Sequence, residues 1–245
     1  MVADIHAHLD YFSNEELKKI IERAKKEGIE IIITNSTDIK SCKKSLEISK
    51  KYDIVRLAVG LYPNDNLNIN DFDEFKKFVL ENQKEIFAIG EIGMDFKESK
   101  NEGSQELIFK KQLELAQELN LPVIIHSRKA EKEVLKILED YKNLKKILHC
   151  FSGKFKLIEE AKKQGCYFSI PANINRSEHF KKMVKEISME RILLETDSPF
   201  LPPTKGETNE PANVLKTVKT ISAIWGISYD ETKNILEDNF RKVFE

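Results

Sequence analysis

Eight short apolar runs, each followed by a stretch with helical spacing, restrict what this 245-residue chain can fold into. The runs are residues 2–5, 29–34, 55–59, 86–92, 122–125, 147–148, 167–170 and 192–194. They are too short and too apolar for surface helices, and β-branched residues recur in them. Between them, residues 15–26, 39–52, 72–80, 104–119, 129–141, 155–164, 179–187 and 213–223 place apolar side chains at helical spacing, and residues 229–244 make a last helix. The helix at 104–119 is expected to open on Ser104 as its N-cap. Continuous Val/Ile/Leu runs suit parallel strands buried on both faces. Eight strand–helix units in a chain of this length predict an α/β fold, a single (β/α)8 TIM-type barrel. The rival is a doubly wound sheet, which normally carries a glycine-rich first turn for a nucleotide. Here that turn reads His6-Ala-His-Leu-Asp, without glycine. No Pro/Gly/Ser-rich linker interrupts the chain, so residues 1–245 are expected to form one domain.

Composition narrows the function. The chain is 40% hydrophobic and 33% charged, which is a globular balance, not a disordered one. Its formal net charge is -1, so any nucleic-acid partner must be gripped locally or through metals and not by bulk charge. Cys42, Cys150 and Cys166 are odd in number and lack C-x-x-C spacing, which predicts a reducing compartment and no disulfide framework. No apolar run approaches a membrane span, and Asp4 and His6 interrupt any signal-peptide core. A cytoplasmic location is expected.

Four of the five histidines end apolar runs: His6 and His8 in Asp4-Ile-His-Ala-His, His126 in Val123-Ile-Ile-His-Ser-Arg, and His149 in Ile147-Leu-His-Cys-Phe. Imidazole is the commonest metal ligand, and barrel enzymes keep their chemistry at strand C-terminal ends. His6 and His8 are two apart on a strand, so both point to one face and one metal can be held between them. Glu91 lies inside an apolar run between Gly90 and Gly93, where a carboxylate is costly unless it is paired or bound to a cation. It reads as a metal ligand, with a buried salt bridge as the alternative. Asp95 is expected in the loop that follows, either supporting a ligand or simply polar. Asp197 ends strand eight, which neighbours strand one in a closed barrel, and should approach His6 and His8. The remaining histidine, His179, reads as surface, and Cys150 as packing. These ligands exceed what one zinc needs and suit two metals sharing Glu91. Asp197 can then orient a water and take its proton, so Asp197 and Glu91 are the expected catalytic residues.

Taken together, Asp4-Ile-His-Ala-His-Leu-Asp, Gly90-Glu-Ile-Gly-Met-Asp, Val123-Ile-Ile-His-Ser-Arg, His149-Cys-Phe-Ser-Gly, Glu195-Thr-Asp-Ser-Pro and Asn209-Glu-Pro-Ala-Asn resemble the TatD family of metal-dependent deoxyribonucleases, within the amidohydrolase superfamily. The resemblance runs from residue 4 to residue 213. It implies two divalent metal ions (Mg, Mn or Zn), with His6, His8 and Asp197 on one, His126 and His149 on the other, and Glu91 bridging. The implied activity is hydrolysis of DNA phosphodiesters, often from an end, with DNA as the partner, no membrane, and a monomer or weak oligomer.

Two positions depart from the family pattern. Gly60-Leu-Tyr-Pro stands where the family carries Gly-x-His-Pro, so Tyr62 replaces a histidine. Lys205-Gly-Glu-Thr replaces a basic stretch before Asn209. Tyr62, Arg128, Lys154 and Asn209 are therefore the expected substrate-binding residues, with Arg176 a further cation after a strand end. Two other functions remain open in the sequence. One is hydrolysis of a small cyclic amide or other carbonyl substrate, although many such enzymes use a carboxylated lysine where this chain has Glu91. The other is a non-catalytic binding protein that has kept a metal site.

Overall fold

The computed structural model describes residues 1–64, 67–98 and 100–245. Its strands are β1 (Ala3–Ala7), β2 (Ile31–Asn35), β3 (Val55–Val59), β4 (Ile86–Asp95), β5 (Val123–Arg128), β6 (Lys146–Leu148), β7 (Tyr167–Ile170) and β8 (Ile192–Leu194). They hydrogen-bond in sequence order, β1 to β8, in one sheet. Helices α1 (Asn14–Lys26), α2 (Ile39–Lys51), α3 (Ile69–Glu81), α4 (Glu102–Leu119), α5 (Glu131–Leu138), α6 (Phe155–Lys163), α7 (Glu178–Glu186) and α8 (Val214–Trp225) each follow a strand, and α9 (Tyr229–Phe244) is added at the end. This is the (β/α)8 fold class that the alternating pattern predicts.

The chain forms two compact units. The first joins Met1–Thr34, Glu47–Arg56 and Phe168–Glu245; the second joins Asn35–Leu46 and Leu57–Tyr167. In the first unit, β1 pairs in parallel with β2, and β7 with β8. The chain beyond β8 also returns to β1, through an Ala7–Ser198 bridge. Helix α1 shows how the sequence builds these layers. Ser13 and Glu16 form a reciprocal capping box at its start, and Leu17, Ile20, Ile21 and Ala24 make its buried face. Past its end, Gly28 takes φ +85°, a left-handed turn that glycine enters without strain.

In the second unit, β3, β4 and β5 form a tightly packed parallel ladder. A Cβ on Gly60 would stand 2.4 Å from the carbonyl oxygen of Glu91, and one on Gly93 2.0 Å from that of His126. Glycine at these two places lets the backbones of β3 and β5 close on β4 and so sets the position of Glu91.

Two local expectations are corrected. Helix α4 begins at Glu102, not Ser104, because Asn101 is the cap: its side-chain oxygen accepts the Ser104 N–H. Asp95 lies on β4, not in the following loop, because the ladder to β5 continues through Asp95 opposite Arg128.

Candidate metal centre

Each unit carries its own cluster of histidine and carboxylate groups. In the first unit, β1 ends at Ala7, which places His6 inside the strand and His8 just beyond it. The turn after β8 is built onto them: Asp197 N–H donates to His6 O at 2.8 Å, and His8 N–H donates to Ser198 O at 2.7 Å. Asp197 adopts φ +59°, a left-handed conformation that aspartate tolerates better than most residues. Its Oδ1 lies 3.6 Å from His6 Nε2 and 3.5 Å from His8 Nε2, and the two Nε2 atoms are 3.2 Å apart.

Asp4 fixes this turn from below. Its carboxyl accepts the Thr196 N–H at 2.9 Å, the Thr196 hydroxyl at 2.5 Å and the His6 N–H at 3.3 Å. Burial pushes the Asp4 carboxyl up to about 8, against the opposing pull of the Thr196 and His6 hydrogen bonds.

In the second unit, Glu91 sits on β4, His126 on β5, and His149 immediately after β6, held in register by its N–H donating to Ile125 O at 3.0 Å. Glu91 Oε1 lies 2.9 Å from His126 Nδ1 and 3.4 Å from His149 Nε2. The other ring nitrogen of His126 is also engaged: Nε2 is 3.0 Å from Asp95 Oδ2. Asp95 further accepts the Tyr62 hydroxyl at 2.7 Å and the backbone N–H groups of Lys97 and Glu98. Burial raises the Asp95 carboxyl, but these donors outweigh it and hold the group well below the usual carboxylate range. Burial lowers His126, yet its bonds to Asp95 and Glu91 bring it above its ordinary value. Burial raises the Tyr62 phenol, and its bond to Asp95 raises it further, so it remains a donor.

The donor sets fit a divalent cation. Ligand atoms about 2.1 Å from one tetrahedral ion stand ~3.4 Å apart. The spacings in both clusters cluster around that value, and in each the ligand atoms all lie within 4.8 Å of one another. The ligand residues are also largely removed from solvent, where an uncompensated carboxylate is costly and a cation offsets it.

Among the expected substrate-binding residues, Tyr62 meets Asp95 and His126 in the second unit. Arg128 is half-exposed and pairs with Glu98 at 3.0 Å. Lys154 is exposed at the N-cap of α6. Asn209 is different. It is fully buried, and its amide donates to the carbonyls of Thr196, Phe200 and Leu201 at 2.7, 2.6 and 3.2 Å. Its oxygen accepts from Glu210 N–H and Asn213 Nδ2. With both ends committed, it holds the turn after β8. Arg176 likewise donates to Pro202 O at 2.6 Å.

Sequence reasoning missed Glu195, a buried carboxylate at the end of β8 whose Oε2 accepts the Ser169 hydroxyl at 2.5 Å. The rule applied to Glu91, that an acid set against an apolar run is costly unless it is paired, finds it equally well in Ile192-Leu-Leu-Glu. It also missed Tyr11 and Phe200, which pack on His8.

A (β/α)8 chain that gathers such ligands at the C-terminal ends of its strands is of the metal-dependent hydrolase class. Comparison with known proteins narrows the class. The family model described as TatD related DNase matches residues 3–245, and the chain belongs to that family. It is 39% identical to an uncharacterized metal-dependent hydrolase of Methanocaldococcus jannaschii, MJ1582, over 99% of this chain and 96% of that protein. It is 33% identical to human deoxyribonuclease TATDN3, over 99% of this chain and 94% of the relative. Among solved structures, the Escherichia coli TatD homolog YJJV superposes with a TM-score of 0.89 at 23% identity, covering 99% of this chain and 97% of that one. A TatD family hydrolase of Entamoeba histolytica superposes with a TM-score of 0.90 at 23% identity, over 99% and 97%. These two likenesses bear on the fold alone.

Proposed function

We propose that residues 1–245 act as one domain that cleaves DNA phosphodiester bonds, working inward from an end, with two divalent metal ions per chain. The observation that carries this reading is the presence of three-residue donor sets, among them His6, His8 and Asp197, and Glu91, His126 and His149. The name carried by the human relative supports DNA as the substrate. On the family resemblance, Glu91 would serve as a ligand shared by both donor sets.

A divalent cation held by these residues supplies Lewis acidity to a phosphoryl oxygen and makes a water nucleophile available near neutral pH. The chain's own groups do the rest. Asp197 orients the attacking water and accepts its proton. Asp95 holds the His126 ring so that Nδ1 remains its ligand atom. Arg128 and Lys154 engage substrate phosphate, and the Tyr62 hydroxyl joins them by turning its single proton from Asp95 to a phosphoryl oxygen. With a net charge of -1, these local contacts take the place of a bulk basic field.

The test is incubation of purified protein with end-labelled single- and double-stranded DNA and Mg²⁺ or Mn²⁺, beside Glu91→Ala. The expected result is metal-dependent shortening from an end that Glu91→Ala abolishes. Cleavage without metal, or full activity in the variant, overturns the reading. So does opening of a dihydropyrimidine ring by a preparation that leaves DNA intact.

A further inference from the structure

We infer that Tyr11 and Phe200 form a stacking platform for an unpaired nucleobase of the strand whose phosphate is cut; the inference rests on the phosphodiesterase reading above. Among the described residues, five large hydrophobic side chains are exposed, and only these two are aromatic, at 57% and 45% exposure. They are not scattered. Their ring centroids are 5.4 Å apart, edge to face, and they lie 5.8 and 6.0 Å from the ring of His8.

Each is also tied by its backbone to a proposed metal ligand. Tyr11 N–H donates to His8 O at 3.2 Å, and Phe200 N–H donates to Asp197 O at 2.8 Å. The turn that carries Phe200 is clamped by the buried Asn209 amide, which bonds the carbonyls of Phe200 and Leu201. The two rings are thus held one hydrogen bond away from the His6–His8–Asp197 cluster. Exposing two aromatic rings has a hydration cost that a purely structural role would avoid by burying them.

The chemistry of the partner follows. A phosphodiester held at the cluster brings the flanking base within a few ångströms of these rings, and every base offers a π-face to an aromatic side chain. A chain with net charge -1 lacks the long-range field that other nucleic-acid enzymes use, so stacking on a base adds to the local phosphate contacts. Base pairs within a duplex keep their faces covered. The platform therefore selects single strands and frayed ends.

The experiment uses the full chain and an oligonucleotide carrying 2-aminopurine at one end, with a matched oligonucleotide that is abasic there. Fluorescence titration in chelator reads binding without cleavage. The variants are Tyr11→Leu and Phe200→Leu, with Tyr11→Phe and Phe200→Trp as aromatic controls. Far-ultraviolet circular dichroism confirms that each is folded. The expected result is that each Leu variant binds the 2-aminopurine end about tenfold more weakly, that the aromatic controls bind like wild type, and that abasic ends are unaffected by any change. In the presence of metal, the preference for base-bearing over abasic ends falls in the Leu variants by the same factor. Binding by the Leu variants within about twofold of wild type overturns the platform, even if DNA is cleaved normally. Loss of 2-aminopurine binding in the Leu variants alone, with no cleavage by any form, supports the platform and overturns the phosphodiesterase reading.

Discussion

Asp95 and His126 share a hydrogen bond of 3.0 Å between Oδ2 and Nε2, and this bond decides which nitrogen of the histidine meets Glu91. A carboxylate behind a ligating imidazole fixes its tautomer and ring orientation. Asp95→Asn keeps the shape and most of the hydrogen bonds but weakens this hold. It is expected to lower metal affinity or activity by roughly 10- to 100-fold. Metal titration followed by calorimetry checks it, with the fold verified by circular dichroism. A variant with unchanged metal affinity and rate would remove Asp95 from the centre.

Tyr62 separates contact with substrate from contact with metal. Its hydroxyl donates to Asp95 at 2.7 Å, while three other donors to that carboxyl remain. Tyr62→Phe is therefore expected to keep full metal content, measured by elemental analysis, and to lower kcat/KM by about fivefold, the equivalent of one ordinary hydrogen bond. Tyr62→His restores the residue the family pattern carries and should recover activity. Loss of an ion in Tyr62→Phe would instead make the phenol part of the metal site.

Metal binding should be visible as stability. An ion that binds only the folded chain stabilises it by about 2.7 kcal/mol at a hundredfold excess over its Kd. For a chain of this size that is a rise in Tm of roughly 5–11 °C. Differential scanning calorimetry of chelator-treated protein, with and without added Mn²⁺ or Zn²⁺, reads it. His6→Ala and His126→Ala should each lose part of the rise. An unchanged Tm across all ions would argue against both donor sets.

Glycine at 93 is held to be a requirement of packing. A Cβ there meets the His126 carbonyl at 2.0 Å and must also adopt φ +143°. Gly93→Ala is expected to cost about 3 kcal/mol or more, a fall in Tm of roughly 6–12 °C. Gly28 offers the control: it has φ +85° but no atom within 4 Å of an added Cβ. Gly28→Ala should cost only about 1–2 kcal/mol. Equal losses at the two sites would show that the clash is relieved by a backbone shift.

Asn209→Ala leaves the carbonyls of Thr196, Phe200 and Leu201 without the amide that now joins them. A destabilisation of about 2 kcal/mol is expected from the buried groups left unpaired. The turn also carries Asp197, so kcat should fall together with Tm. Urea unfolding and steady-state kinetics on one preparation check both. A change in KM alone, with wild-type stability, would return Asn209 to the substrate-contact role.

The (β/α)8 class and both donor sets were legible in the residue order. Apolar runs of strand length alternate with helical spacing, and His6, His8, Glu91, His126, His149 and Asp197 each close or interrupt such a run, where burial makes a polar group expensive. These are local properties, and they survive without knowing what packs on what. Asp95, Asn209, Tyr11 and Phe200 were not legible in the same way, because each role is set by a residue distant in sequence or by a turn. Asp95 acts through a ring on the next strand, since the β4 ladder runs longer than its apolar stretch. For Asn209, the sequence does not show that the turn after β8 buries it and uses both of its ends. Tyr11 and Phe200 are 189 positions apart in the numbering of the chain and meet only because the turn after β8 returns to β1. The sequence by itself determined the strand order and which strands carry the histidines and carboxylates. Only the tertiary structure decided which polar groups gather into clusters and which are consumed in holding the backbone, because that division depends on hydrogen-bond partners brought together by folding.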